Sequence, residues 1–533
     1  MMISKFTALF VLILLISGFS NLVIRAQGND MAITNNVYFD GEPYLISKPG
    51  EPNKLTIAWM GFNLPDGIRI TIRSRTSSDG GLTWSAPVSL PHLDPAYGSA
   101  DPTMTYGPDG TLYLVYIDFK KNPDAGKIVI CRSTDSGLNW TGPDAVMDMT
   151  EDYPERPIDR PWLIADRTTG SHSGNLYLTS KPAPWIPAPN RAYHKRSTDG
   201  GISWSGIRFV DTTQYLIGNL IQQPMTCPIL YADGKYGMLY PSYVSSQNIY
   251  GVFYQALSSD GGVSFQYNTA IVNPQGVQDT NYKAVYRAMA NPTDPNHAFF
   301  VGTSITHGDP DILFSRTTDQ GLTWSPFIRV NQDALANGKS QDMVWASYNE
   351  QGHIAVVWRD RRNDPGTGFF VSSEIYGAVS KDGGLTFPDE FALSSVPAAF
   401  DSILLESGND ILGVEFCGDT VYAAWGDVRT GKLNIYFSRK VLDGSTAQVQ
   451  LLTDEYYPQI SMYPNPVTAA TTVFFATEYL GGTWHIHDLQ GKLLSSGKIE
   501  QEIQSLSFEG LTPGAYLLSG NKGTLKYSLS FMK

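Results

Sequence analysis

The sequence predicts an all-β protein: a seven-bladed β-propeller followed by a small C-terminal β-sandwich. Three observations carry that reading. One turn motif recurs six times at nearly constant spacing, alternating apolar segments stand in the same order around each copy, and residues 459–533 abandon the pattern. Composition agrees. Of 533 residues, 42% are hydrophobic and 12% aromatic, enough for a large core, while 50 Gly and 33 Pro supply many turns. A chain of this length exceeds one ordinary domain unless repeats build it.

At the N-terminus Lys5 precedes the apolar run Phe6 to Phe19, with small or polar residues up to Ala26. Residues 1–26 read as a secretory signal peptide, cut after Ser20 or near Ala26. The run is short for a membrane span and no later segment approaches one, so the mature form is expected to have no transmembrane segment. A net charge of −13 without runs of like charge argues against nucleic acid or an anionic membrane as partner. Cys131, Cys227 and Cys417 are odd in number and lack CxxC spacing, which argues against a zinc site or redox dithiol and for three small buried residues. No cofactor or metal is predicted, and no loop motif for calcium is present.

The repeat occupies residues 30–455. Its first copy is Ser77-Ser78-Asp79-Gly80-Gly81-Leu82-Thr83-Trp84, and the aromatic is Trp or Phe in every other copy. The aspartates Asp79, Asp135, Asp199, Asp260, Asp319 and Asp382 follow one another at 56, 64, 61, 59 and 63 residues. An aspartate in a tight turn accepts backbone N–H groups, and glycine supplies positive φ. The aromatic is expected to fold back on its own hairpin. These aspartates are therefore read as structural.

Before each motif stand two alternating segments, such as Leu112 to Tyr116 and Lys127 to Cys131, and a short strand such as Phe327 to Val330 follows. Second-strand segments from Leu55 to Trp59 through Val421 to Trp425 number seven. The seventh unit, with Asn434 to Ser438 as third strand, lacks the motif and has Asp443-Gly444 in its place. Four-stranded units that cannot bury both faces alone must close into a ring. Either Asn35 to Phe39 or Gln448 to Leu452 would complete the last blade.

Aligned on their second strands, the units place Glu42, Asp101, Arg160, Gln223, Arg287, Asp342 and Asp410 at the start of the innermost strands, around one mouth of the central channel. Arg160 and Arg287 would clamp a carboxylate or sulfate. A second cluster, Arg359-Asp360-Arg361-Arg362-Asn363-Asp364, is echoed by Asp427 and Arg429; it would pair locally across a loop or suit an anionic ligand. His172, His194 and Tyr193 offer a base and an acid for β-elimination.

From Ser461 the text changes. Tyr463-Pro464-Asn465-Pro466, Asp488-Leu489-Gln490-Gly491-Lys492 and Leu511-Thr512-Pro513-Gly514-Ala515-Tyr516 follow in order. Residues 459–533 resemble the C-terminal sorting domain of type IX secretion cargo. That resemblance implies the type IX machinery as partner, with release or attachment at the cell surface.

The six motifs make residues 30–455 resemble the sialidase (BNR, Asp-box) superfamily. Its sialidases use an arginine triad, a tyrosine nucleophile helped by Glu, and an Asp acid/base, which here implies Tyr286, Asp101, Arg160 and Arg287. The family's Arg-Ile-Pro is missing near the first blade; Arg156-Pro157-Ile158 has another order and stands in the third unit. True sialidases have six blades. A closer resemblance is to seven-bladed secreted Asp-box proteins with Trp-x-Asp-x-Arg, as in Trp358-Arg359-Asp360-Arg361 and Trp425-Gly426-Asp427-Val428-Arg429. The expected function is a secreted, glycan-active, sialidase-like hydrolase for acidic sugars. Glu42, Gln223, Asp410 and Arg359 would join the two clamping arginines in binding, and Asp101 or Asp342 would transfer the proton. The alternatives are a non-catalytic propeller binding glycan or protein, and a polysaccharide lyase.

Overall fold

A computed structural model describes residues 30–533 apart from 37, 63–68, 122–123, 155, 184–191, 211–225, 243–251, 273–281, 284, 401–408, 443–460, 464–466, 468–469, 476, 489–491 and 524. The signal-peptide reading, Gln223, Asp443-Gly444 and Gln448 to Leu452 all lie outside the described residues. The chain divides into two compact units, Met1–Leu442 and Asp443–Lys533.

Among the described residues the first unit holds seven four-stranded antiparallel sheets. The innermost strands are Asp40–Lys48, Gly98–Tyr106, Asp159–Ala165, Cys227–Leu230, Tyr286–Ala290, Gln341–Tyr348 and Gly413–Cys417. Each touches the next, and the seventh returns to the first, so the ring is closed. Blades one to six are built outward in chain order. Both faces of the middle strands are buried, hence their unbroken apolar runs: Ala298–Ser304 and Ile354–Asp360 are buried throughout. Trp59, Trp358 and Trp425 are fully buried near the inner end of that packing.

The N-terminal segment closes the ring, but with other residues than Asn35 to Phe39. Met31–Ala32 pairs with Phe437 and Tyr436 as the outermost strand of blade seven. Ile33 donates its N–H to the Ile435 carbonyl at 2.8 Å, and Thr34 donates its hydroxyl to Asn434 at 3.1 Å. Phe39 makes only an isolated parallel bridge to Leu433, where the chain has already turned toward blade one.

The six repeated turns share one hydrogen-bond set. In the third, the Ser197 hydroxyl donates to Asp199 at 2.7 Å and accepts the Gly201 N–H at 2.9 Å, while Asp199 accepts the Ser203 N–H at 2.9 Å. The Ser203 hydroxyl and N–H bonds hold the Asp199 carboxyl down at about 2. The glycine four residues after the serine or threonine of each motif lies against the preceding blade: Gly81 on Phe437, Gly137 on Thr56 and Thr76, Gly201 on Ile130, Gly262 on His194, Gly321 on Gln255 and Gly384 on Phe314. The aromatic does fold back on its own turn in two copies, where Trp84 and Trp204 donate their indole N–H to the Gly81 and Gly201 carbonyls at 3.2 and 3.1 Å, and it also reaches the preceding blade. Trp84 meets Phe437 edge-on at 5.2 Å, and Trp140 donates its indole N–H to Ser74 at 3.0 Å. These turns join blade to blade.

The second unit is a sandwich of a three-stranded and a four-stranded sheet. Its core contains Val473, Trp484, Ile486, Leu506, Phe508, Tyr516, Leu518 and Phe531. Thr477–Tyr479, a 3-10 turn, is the only helix among the described residues, and none is long and apolar enough to cross a membrane.

Gly81 has φ +82°, and a methyl group there would overlap the Phe437 ring. Gly81→Ala is expected to destabilise the protein by about 2–4 kcal/mol, the left-handed penalty and overpacking together. Urea unfolding of the variant should show a lower midpoint with an unchanged slope.

Candidate active site

Near their starts, the innermost strands of blades one, two, three and six pair irregularly. The breaks lie between Gly41 and Tyr44, Ala100 and Thr103, Asp159 and Trp162, and Asp342 and Trp345. At each break one non-glycine residue takes positive φ: Glu42 at 51°, Asp101 at 56°, Arg160 at 47° and Met343 at 57°. Such conformations cost about 1–3 kcal/mol each and persist only where the surroundings impose them. A bulge re-aims the side chain it carries. Three of these residues precede a proline, Pro43, Pro102 and Pro161, spaced 59 residues apart. That spacing is the sequence signal that marks them more sharply than second-strand alignment does.

Glu42, Asp101 and Arg160 thus stand at one equivalent position on three adjacent blades. The Asp101 carboxylate accepts the Arg160 backbone N–H at 3.2 Å. Arg160 donates to Asp410 at 2.5 Å, and Lys283 pairs with the other Asp410 oxygen at 2.6 Å. Asp159 pairs with Lys181. Four acids, Glu42, Asp101, Asp159 and Asp410, therefore face three cations, Arg160, Lys181 and Lys283.

Protonation balances that cluster. Burial, and then the Asp159 charge, push the Asp101 carboxyl up to about 6. Burial and the Asp101 charge raise Glu42 well above the carboxylate range, and the two carboxyls are hydrogen-bonded. Asp410 goes the other way: against burial, Arg160 and Lys283 hold it below its ordinary value. Asp101 is partly exposed at the mouth, whereas Glu42 is buried.

Other residues singled out from sequence lie elsewhere. Asp342 is one residue short of the left-handed position and fully buried. It accepts Arg359 at 2.8 and 2.6 Å, Arg361 at 3.0 Å and the Lys283 N–H at 3.0 Å, filling both oxygens. Those guanidiniums hold it far below the carboxylate range despite burial. Neither Asp342 as proton donor nor Arg359 as ligand to a sugar fits this geometry. Tyr286 is packed between Phe253, at 4.8 Å, and Phe300, at 5.9 Å, inside the blade stack, which is no place for a nucleophile. Arg287 opposes Val301 as Trp162 opposes Thr179, so it sits two residues further along the strand than Arg160. The two arginines therefore do not form one clamp.

His194 is buried under the fourth repeat's Gly262, and burial pushes its imidazole down to about 3, a neutral group in the blade contact. His172 lies under Gly261 of the same turn, and the Tyr193 hydroxyl donates to Asp152 at 2.7 Å. This arrangement leaves no base and acid for elimination. In the Trp-x-Asp-x-Arg segments the indole N–H groups of Trp358 and Trp425 donate to Asp360 and Asp427 at 2.7 and 3.0 Å. Arg362, not Arg361, is the counterpart of Arg429; each donates to its aspartate at 2.6 Å and covers a tyrosine, Tyr376 or Tyr436. The arginines of the basic cluster are matched within blade six, Arg359 and Arg361 by Asp342 and Arg362 by Asp360 and Glu390.

Residues 53–222 match the BNR repeat-like domain family, and residues 461–533 match the secretion system C-terminal sorting domain. The chain thus carries the address for type IX export to the cell surface or the medium. No curated protein matches. Solved structures with similarity include a protein of unknown function from Dyadobacter fermentans, at 18% identity over 66% of this chain and 97% of that one, TM-score 0.44. An α-L-arabinanase from Penicillium chrysogenum aligns at 13% identity over 77% and 97%, TM-score 0.43. A sialidase from Streptococcus pneumoniae aligns at 13% over 79% and 69%, TM-score 0.38.

Two substitutions separate the roles of the acids. Asp342→Asn strips the charge that pairs two buried guanidiniums and should cost about 3–5 kcal/mol. Asp101 behaves oppositely. Its folded form keeps, up to about pH 6, a proton that the unfolded chain releases near pH 4, so stability falls as pH rises through that window. In Asp101→Asn that fall should be shallower, read by urea unfolding at pH 4, 5, 6 and 7.

Proposed function

We propose that the propeller is a secreted glycoside hydrolase that meets its glycan at the bulged mouth, with Asp101 as proton donor. One observation carries this reading: on a half-buried residue at the start of an innermost strand, a carboxyl that burial pushes up to about 6 is hydrogen-bonded to Glu42 and stands on a strained backbone. A general acid needs its proton near working pH and a position where a glycosidic oxygen can reach it. The Arg160 N–H holds one Asp101 oxygen, and the proton delivered to the leaving group is the one that Asp101 itself carries below about pH 6. Once Asp101 is ionised, Arg160 stabilises its negative charge, and Glu42 remains protonated and donates to it.

For the sugar, Arg160 is the guanidinium that acts on the donor, and among the described residues it is the one arginine of the mouth, with no triad for a carboxylate. Acidic and neutral glycans are both candidate substrates, and Arg160 would favour the acidic ones through its remaining N–H groups. A second reading, a propeller that binds glycan without turnover, is favoured by the saturated pairs of Asp342 and Asp410, whose charges are already matched internally.

Hydrolysis of a panel of acidic and neutral oligosaccharides tests the choice. The hydrolase reading expects turnover that declines above pH 6, and a fall in kcat of about 10²–10⁴ in Asp101→Asn with KM little changed. Binding to a glycan array with no product from any bound sugar would establish the second reading, and full activity in Asp101→Asn would remove Asp101 from the chemistry.

A further inference from the structure

One level further along the innermost strands, aromatic rings from blades one, three and six meet. Trp162 of blade three meets Trp345 of blade six with ring centroids 5.1 Å apart, and Tyr44 of blade one packs edge-on to Trp162 at 5.8 Å. Arg287 of blade five lies over both indoles, its guanidinium carbon 4.8 and 5.2 Å from their centroids. It is 9% exposed; among the described residues its Nε and Nη1 groups meet no oxygen or nitrogen partner, and the neutral Cys227 thiol is the side chain that faces the guanidinium as a hydrogen-bond neighbour. Next to it opens a narrow recess lined by Tyr44, Met289, Ser347, Val414 and Glu415, with about 20 Å³ of space, room for one occupant near the size of a water.

A buried guanidinium needs a counter-charge, because removing it from water is costly unless an anion faces it. The titratable and charged neighbours are Tyr44 from blade one, Cys227 from blade four and Glu415 from blade seven, with Arg167 from blade three on the far side of Glu415. Burial raises both the Tyr44 hydroxyl and the Cys227 thiol, which stay neutral. Burial also pushes the Glu415 carboxyl up to about 7, and the Ser47 hydroxyl donates to it at 2.7 Å. Below neutrality, then, none of these groups matches the charge of Arg287.

We propose that this recess binds an inorganic anion of the size of chloride, held by the Nε and Nη1 groups of Arg287 beneath the paired indoles. The indole faces fix the plane of the guanidinium and leave its N–H edge for the anion. When Glu415 ionises it supplies the negative charge itself, so anion occupancy falls as pH rises through neutrality. The site is separate from the Asp101 mouth and does not depend on what sugar is bound there.

Thermal unfolding of the full secreted protein in sodium chloride against sodium gluconate, at fixed ionic strength, tests the site. At pH 5.5 chloride should raise the midpoint saturably, and at pH 8.5 the rise should largely disappear. Arg287→Met should lose the response, and Glu415→Gln should keep it at pH 8.5. Crystals grown in sodium bromide should show an anomalous peak within hydrogen-bond distance of Arg287, which decides the matter even if the methionine variant fails to fold. A recess holding only water, with midpoints that follow ionic strength alone, would overturn the proposal.

Discussion

Six of the seven blades lean on the one before at a point where the leaning chain has no side chain. The glycine four residues after the serine or threonine of each turn brings bare backbone against the neighbouring blade. The serine or threonine hydroxyl and the aspartate hold the turn in the one shape that allows this approach. Radial order follows from that contact. With the sheets ordered around a ring, neighbouring innermost strands touch and their first residues come together.

That crowding explains why the mouth is electrically unusual. Charged side chains gathered from several blades lose water, and in low dielectric each must find an opposite partner or change its protonation. Asp410 and Asp342 found cations, while Glu42 and Asp101 found mainly each other. The excess of one acid over the local bases accounts for the proton on Glu42, and burial with the Asp159 charge holds the second one on Asp101. The strained backbone at Glu42, Asp101 and Arg160 is the conformational side of the same crowding, since a regular strand would keep these side chains in its alternating pleat.

The repeat was legible in the sequence because its chemistry is local. A hydroxyl, an aspartate and a glycine within five residues make the same turn wherever they occur. What the turn touches was not legible, because Phe437 lies more than 350 residues from Gly81. The fold-back of Trp84 onto its own Gly81 is local and legible, whereas its contact with Phe437 and that of Trp140 with Ser74 are inter-blade contacts and are not. The mouth was half legible. Counting back from the second strand finds the right neighbourhood, but a bulge inserts a residue and breaks the count. Asp342 was taken for the counterpart of Arg160, a place that belongs to Met343, and Arg287 was placed one level too high. Which charges would pair was beyond sequence altogether, as Arg160 and Asp410 are 250 residues apart.

The clasp in blade seven imposes an order of events on the growing chain. Met31 and Ala32 are among the first residues of the propeller to be made, and their partners Phe437 and Tyr436 are among the last. Until synthesis reaches that point, the early strand waits without its ladder, and the partial ring exposes apolar faces at both ends. Closure is therefore a contact of very high sequence separation, paid for late in chain entropy. A ribosome that stalls in the sixth blade would release an arc with two sticky ends, a substrate for chaperones or for self-association.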